Sequence, residues 1–190
     1  MMLFFDTETT GIPRNYKAPA SDTRNWPRMV QIAWILVDKK GEAVACAEHI
    51  IRPDGFTIPT DAARIHGITT EIALKQGVAL GSVLDEFAVR IAECSGVVAH
   101  NVAFDERIVG AEFLRTGRPN LIETKSRYCT MKSSTAFCAL PSPYGYKWPT
   151  LTELHVHLFG EPFDHVHSAF ADVLACVRCY KELKRLNIMN

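Results

Sequence analysis

No apolar run in these 190 residues approaches the ~20 needed to cross a bilayer. The opening segment, MMLFFDTETT, has no basic region and meets Asp6 after five residues, so it does not read as a secretory signal. Neither sign of charge is in excess: 21 Lys and Arg balance 21 Asp and Glu. That argues against non-specific nucleic-acid binding over a wide surface, although a local basic rim can still hold a few phosphates. Cysteines are few and scattered, six in all, and without a secretory signal they read as the reduced thiols of a cytoplasmic protein. Cys176 and Cys179 form C-x-x-C, but no second pair accompanies them and the surroundings are apolar and helical. They read as small buried hydrophobes rather than zinc or redox ligands. Internal repeats, low-complexity tracts and linkers are also missing, which leaves one domain spanning residues 1–190. With 47% hydrophobic and 22% charged residues, that domain has enough apolar material for a sizeable core.

The N-terminal half carries strand patterns. MLFFD is a short apolar run that ends in an acid. MVQIAWILVD (29–38) is rich in β-branched and aromatic residues, and AVACAEHIIRP (43–53) is expected to return antiparallel after the turn KKGE. The segment 12–28 is too long and too rich in Pro and Asn for a hairpin turn. It is expected as a surface loop carrying Arg14, Lys17, Arg24 and Arg28. Helices then alternate with strands. Val83, Leu84, Phe87 and Ile91 share a helical face, a strand follows at 96–100, and a helix runs from about 102 to 115. SRYCT reads as a short strand, PTLTELHVHLFG as a helix closed by Gly160, and HSAFADVLACVRCYKELKRL as the last helix. Three leading strands followed by this alternation predict an α/β fold with a mixed sheet and helices on both faces.

Acids interrupt the apolar pattern at three places. Asp6 and Glu8 end the first strand, and side chains two apart on an extended chain share a face. In HNVAFDERIV (100–109), His100, Asn101, Asp105 and Glu106 stand between a buried strand and a core helix. Asn101 there could simply cap the helix, with acids favoured in its first turn. The third cluster is His167 with Asp172, a spacing that works if His167 lies in the loop before the helix and Asp172 one turn inside. Asp172 then borders the core stripe Ala169, Val173, Cys176 and Tyr180. Taken singly, each acid is open to a structural reading. Together they form the oxygen-donor set that Mg²⁺ or Mn²⁺ requires. Close carboxylates repel by several kcal/mol at intermediate dielectric, roughly 4 kcal/mol per pair near contact, so a cation accounts for the clustering.

FFDTETTG, HNVAFDERIV and HSAFAD, in this order, resemble the three motifs of the DEDDh 3′–5′ exonuclease family, whose fold is ribonuclease H-like. The similarity spans nearly the whole chain and looks closest to the epsilon-type proofreading domain of bacterial DNA polymerase III and its stand-alone relatives. It implies that Asp6, Glu8, Asp105 and Asp172 hold two Mg²⁺ or Mn²⁺ ions and that His167 is the general base. It further implies that Thr9, Ile12, Ile65, His66, His100, Asn101 and Phe104 surround the terminal nucleotide. Ile12, Ile65 and Phe104 would pack on base or sugar, and the polar groups would hold sugar and phosphate. His66 falls in ARIHGIT (63–69), which matches a loop of the family.

The implied partner is the 3′ end of a nucleic acid, with no membrane involved. Ribonuclease T and oligoribonuclease resemble this pattern too, which keeps an exoribonuclease as the alternative. Oligoribonuclease-like chains usually carry Met where this one has Thr9, which favours single-stranded DNA. A non-catalytic binding module on the same fold is the alternative of another class, and the five intact chemical residues count against it. A zinc site from His155, His157, His165 and His167 lacks cysteine partners at finger spacing. The last helix pattern runs out near Leu186, short of the further segment by which an epsilon subunit tethers to its polymerase. A stand-alone repair or scavenging exonuclease is therefore expected rather than a stably tethered subunit.

Overall fold

Met29–Val37, the inner strand β2, is buried along all nine residues, because both its faces are covered. The computed structural model describes residues 1–164 and 168–189. β2 pairs antiparallel with β1 (Met2–Thr9) on one side and with β3 (Ala43–Ile50) on the other. β1 also pairs in parallel with β4 (Gly96–Ala99), which pairs in parallel with β5 (Ser126–Cys129). The sheet order is β3-β2-β1-β4-β5, the mixed sheet expected from the pattern.

Alternation along β1 divides the core. Leu3 and Phe5 face one layer, where α3 (Leu80–Glu93) and α4 (Val102–Arg115) bring Val83, Leu84, Phe87, Ile91 and Ile108. Phe4 faces the other, packed with Ala33, Val98 and α7 (Ala169–Arg185) through Ala169, Val173 and Cys176. Aromatic contacts reinforce both layers: Phe87 meets Trp34 at 5.1 Å and Phe5 at 5.6 Å, and Phe4 meets Tyr180 edge-on at 5.1 Å. Each such side chain contributes roughly 1.5–3 kcal/mol by leaving water. The six cysteines are free thiols, and Cys176 and Cys179 lie buried in α7 as expected.

Two regions differ from the sequence pattern. ARIHGIT is not an open loop: α1 (Thr60–His66) and α2 (Thr70–Gln76) flank it, with Gly67 making the left-handed exit at φ 77°. Thr130–Cys138 is a helix, α5, and a small hairpin of β6 (Pro141–Ser142) and β7 (Gly145–Tyr146) precedes α6 (Leu151–Phe159). Segments this short complete too few turns or alternations to show a period.

The 12–28 loop is tied down rather than loosely solvated. Glu112, buried in α4, accepts from Arg28 Nε and from the Met29 amide, both at 2.9 Å, and pairs with Arg115 at 2.9 Å. Arg115 also donates to the carbonyls of Thr23, Trp26 and Pro27. Arg28 stacks over the Phe56 ring at 4.3 Å. Arg28 is therefore a structural cation, which corrects its expected place beside Arg14, Lys17 and Arg24. Those three remain exposed.

Candidate metal centre and active-site cleft

β1 outruns its parallel neighbour: pairing with β4 ends at Phe4 and Val98, while β1 continues to Thr9. The C-terminal end of β1 therefore projects beyond β4, and the acids gather around it. Asp6 and Glu8 continue the Phe4 face, beneath the first turn of α7, where Asp172 stands. One carboxylate oxygen from each of Asp6, Glu8 and Asp172 lies within 4.8 Å of the others. Asp105 arrives from the opposite layer, in the first turn of α4. Its Oδ1 accepts from the Thr7 amide at 3.1 Å and the Thr7 hydroxyl at 2.8 Å.

The electrostatics of this cluster are unfavourable to four free carboxylates. Burial, then the charges of Asp105, Asp172 and Glu8, push the Asp6 carboxyl well above its usual range. Burial with Asp172 and Asp105 raises Glu8 to about 8. Asp105 is raised to about 7, mainly by burial, against the opposing pull of its hydrogen bonds from Thr7. Hard oxygen donors converging at this separation, in a place that penalises their charge, fit a divalent cation. Among the described residues this is the single such group.

Asp6, Asp172 and His100 line a cleft of about 290 Å³ together with Thr150, Leu151, Thr152 and Phe163. Both ring nitrogens of His100 are engaged, Nδ1 with the Thr130 hydroxyl and Nε2 with the Pro149 carbonyl, each at 3.0 Å. Burial lowers its pKa to about 4, so the ring stays neutral near pH 7. Asn101 occupies the N-cap position of α4, yet its side chain makes no capping bond; its contribution is a left-handed backbone at φ 72° and ψ 47°. Asn tolerates that conformation better than most residues.

The other expected nucleotide contacts do not line this cleft. Ile12 and Ile65 are 75% and 59% exposed, apolar side chains held out to solvent. Phe104 is half-buried and meets Trp26 edge-on at 6.4 Å. The Thr9 hydroxyl donates to the Gly11 carbonyl at 2.6 Å, closing the turn after β1. His66 Nδ1 accepts from the Ile68 amide at 3.1 Å. His167 and its neighbour His165 lie outside the described residues. His155 is buried, its ring nitrogens bonded to the Glu161 carbonyl and to Arg178, while the His157 ring packs edge-on against Phe137.

Sequence reasoning missed Thr7 and Gln31. Thr7 positions Asp105. Gln31 stands opposite Glu8 in the sheet, donates to Glu48 at 2.9 Å and accepts from the Ala169 amide at the start of α7. The available signal for Gln31 was a lone amide inside a nine-residue apolar strand.

A model of the RNase_T family, described as "Exonuclease", matches residues 3–180. The chain belongs to this exonuclease family. Its fold is also that of exonuclease I structures. It is 20% identical to Escherichia coli exonuclease I in complex with a dA16 oligonucleotide, with a TM-score of 0.72 over 97% of this chain and 40% of that one. Against the same enzyme with a dT13 oligonucleotide the values are 22% and 0.75, over 98% and 42%. For exonuclease I from Methylocaldum szegediense they are 22% and 0.74, over 97% and 40%. This exonuclease chain thus spans less than half the length of those proteins, and at such identity the likeness concerns the fold. No curated protein matches it in sequence.

Proposed function

We propose that the chain is a metal-dependent 3′–5′ exonuclease that hydrolyses the terminal phosphodiester of single-stranded DNA and releases nucleoside 5′-monophosphates. The observation that carries this reading is the half-buried Asp6, Glu8 and Asp172 triad, with ligand oxygens within 4.8 Å, opening onto a cleft. Asp6, Glu8 and Asp172, with Asp105 beside them, would hold Mg²⁺ or Mn²⁺ as a pair of ions. Such ions, when bound, supply charge stabilisation and lower the pKa of water. The chain's own groups orient and exclude. Thr7 fixes Asp105, Gln31 fixes the approach of α7, and neutral His100 shapes the cleft wall without adding charge. By motif position His167 accepts the proton of the attacking water, a task suited to a pKa near 6.5. Ile12 and Ile65, apolar and exposed, suit packing against an unstacked terminal base, with Phe104, Thr9, His66 and Asn101 near its sugar and phosphate. The preference for DNA draws support from Thr9 and from the oligodeoxynucleotides bound by the exonuclease I relatives.

The test is digestion of matched DNA and RNA oligonucleotides labelled at the 5′ end, with Mg²⁺, with Mn²⁺ and with chelator. A ladder shortening from the 3′ end on DNA, absent in chelator, is expected. Full activity in excess EDTA would falsify the metal assignment, and faster digestion of RNA would replace DNA with RNA as the substrate.

A further inference from the structure

Among the described residues four aromatic side chains are largely exposed, and three of them fall within five residues of one another. Tyr144 is 99% exposed, Tyr146 58% and Trp148 61%. They stand on the β6–β7 hairpin and the extended segment that follows it. Soluble proteins rarely display such a group without a use.

The hairpin is rigidly rooted in the cleft wall. Pro141 pairs with Tyr146, and the Lys147 amide donates to the Leu140 carbonyl at 2.9 Å. Lys147 Nζ meets Glu153 at 2.5 Å, and Glu153 completes a capping box with Thr150 at the start of α6. Immediately beyond Trp148, the Pro149 carbonyl bonds His100, and Thr150 to Thr152 line the cleft that holds Asp6 and Asp172. Trp148 thus stands two residues from the cleft lining, at the edge of this wall.

Geometry suits a nucleic-acid strand better than a folded partner. Alternate residues of an extended chain share a face, so Tyr146 and Trp148 project to one side and Lys147 to the other, toward Glu153. Side chains two apart are spaced by roughly 6.6 Å, about twice the thickness of a stacked base. Rings held at that interval can receive a base between them, and stacking of this kind tolerates any sequence.

We infer that Tyr144, Tyr146 and Trp148 form a stacking platform for unpaired bases upstream of the 3′ end, which makes the preferred substrate a single strand of several nucleotides. This rests on the reading of the cleft as a nuclease site. The aromatic side chains are solvent-exposed, so their replacement leaves the core intact.

The experiment compares KM for a DNA dinucleotide and a DNA hexanucleotide, in the unmodified protein and in the triple variant Tyr144→Ala, Tyr146→Ala, Trp148→Ala. The unmodified protein is expected to favour the longer strand, and the variant to lose roughly fivefold or more of that preference. A hexanucleotide abasic upstream of its 3′ residue should be handled like the dinucleotide by both proteins. An unchanged length preference in the variant overturns the platform while leaving the nuclease reading intact. No digestion of any strand by the unmodified protein overturns the nuclease reading itself. A length preference that survives in the abasic strand also overturns stacking, because backbone contacts then carry it. Sedimentation is the final arm: a dimer in the unmodified protein that dissociates in the variant would assign the aromatics to a second copy of the chain instead.

Discussion

Asp105 Oδ1 takes two hydrogen bonds from Thr7, one from its amide and one from its hydroxyl, and so fastens the start of α4 to β1 between Asp6 and Glu8. The bond pair exists because β4 stops short and leaves this stretch of β1 without a parallel neighbour. Thr7→Val keeps the amide bond and removes the hydroxyl. Hydrogen bonds from Thr7 lower the Asp105 pKa, so the variant carboxyl should rise further and bind cation less readily. A stability loss of roughly 1–2 kcal/mol is expected by denaturant titration, with weaker Mg²⁺ binding by calorimetry. Unchanged metal affinity would show that Thr7 does not position the ligand.

Metal-free protein should become less stable as pH rises. Glu8 and Asp105 have folded pKa values near 8 and 7, above their unfolded values, so the fold favours their protonated forms. The stability this contributes is fully present below about pH 4 and is lost as pH climbs through 7 to 8. The Tm in EDTA should therefore fall between pH 5 and pH 9, after allowance for the rest of the titration. Millimolar Mg²⁺ should flatten that fall by binding the ionised carboxylates. A Tm in EDTA that is level across this range contradicts the crowding of charge described above.

Separate substitutions should split chemistry from metal binding. Asp172→Asn exchanges an anionic ligand for an amide and is expected to abolish both turnover and the Mg²⁺-induced rise in Tm. His167→Ala should cut turnover by ~10²–10⁴-fold, the range for losing a general base, and preserve that rise. His165→Ala should be mild. Inactivity of His165→Ala with an active His167→Ala would move the proton acceptor to the other histidine.

Glu112 predicts the largest purely structural effect. Its carboxylate joins Arg28, Arg115 and the Met29 amide in the interior. Glu112→Ala removes the one carboxylate from two part-buried guanidinium groups and leaves them only neutral partners, at a cost of roughly 3–5 kcal/mol. Faster proteolysis within residues 12–28 should accompany it, since that loop hangs on Arg28 and Arg115. Parent-like denaturation of this variant would mean the cluster adds nothing to stability.

The parts legible in the sequence were those with a period or a motif. MLFF and MVQIAWILV stood out as apolar runs, and Val83, Leu84, Phe87 and Ile91 repeat helically; the runs are the buried strands and the repeat is a buried helix face. Asp6, Glu8 and Asp172 were legible as acids beside apolar runs, and one oxygen from each lies within 4.8 Å of the others. Glu112 carries the same signal, an acid inside VGAEFL, but its partner Arg28 stands 84 positions away and could not be inferred locally. Thr7 was hidden for a similar reason: its role depends on where β4 ends. Arg28 looked like its exposed neighbours until Glu112 and Phe56 claimed its guanidinium. The aromatic hairpin was invisible because two-residue strands carry no alternation.

Every acid of the cluster gathers around the same end of the sheet, and the turn between β2 and β3 lies at the other. There the turn between β2 and β3 is closed by Asp38, whose carboxylate accepts from the amides of Lys40 at 2.8 Å and Glu42 at 2.9 Å. Exposed turn tips of this kind accept foreign sequence. A targeting domain spliced between Lys39 and Lys40 would ride at the opposite pole from the carboxylates, so the chain offers a ready site for grafted addresses with its chemistry left undisturbed.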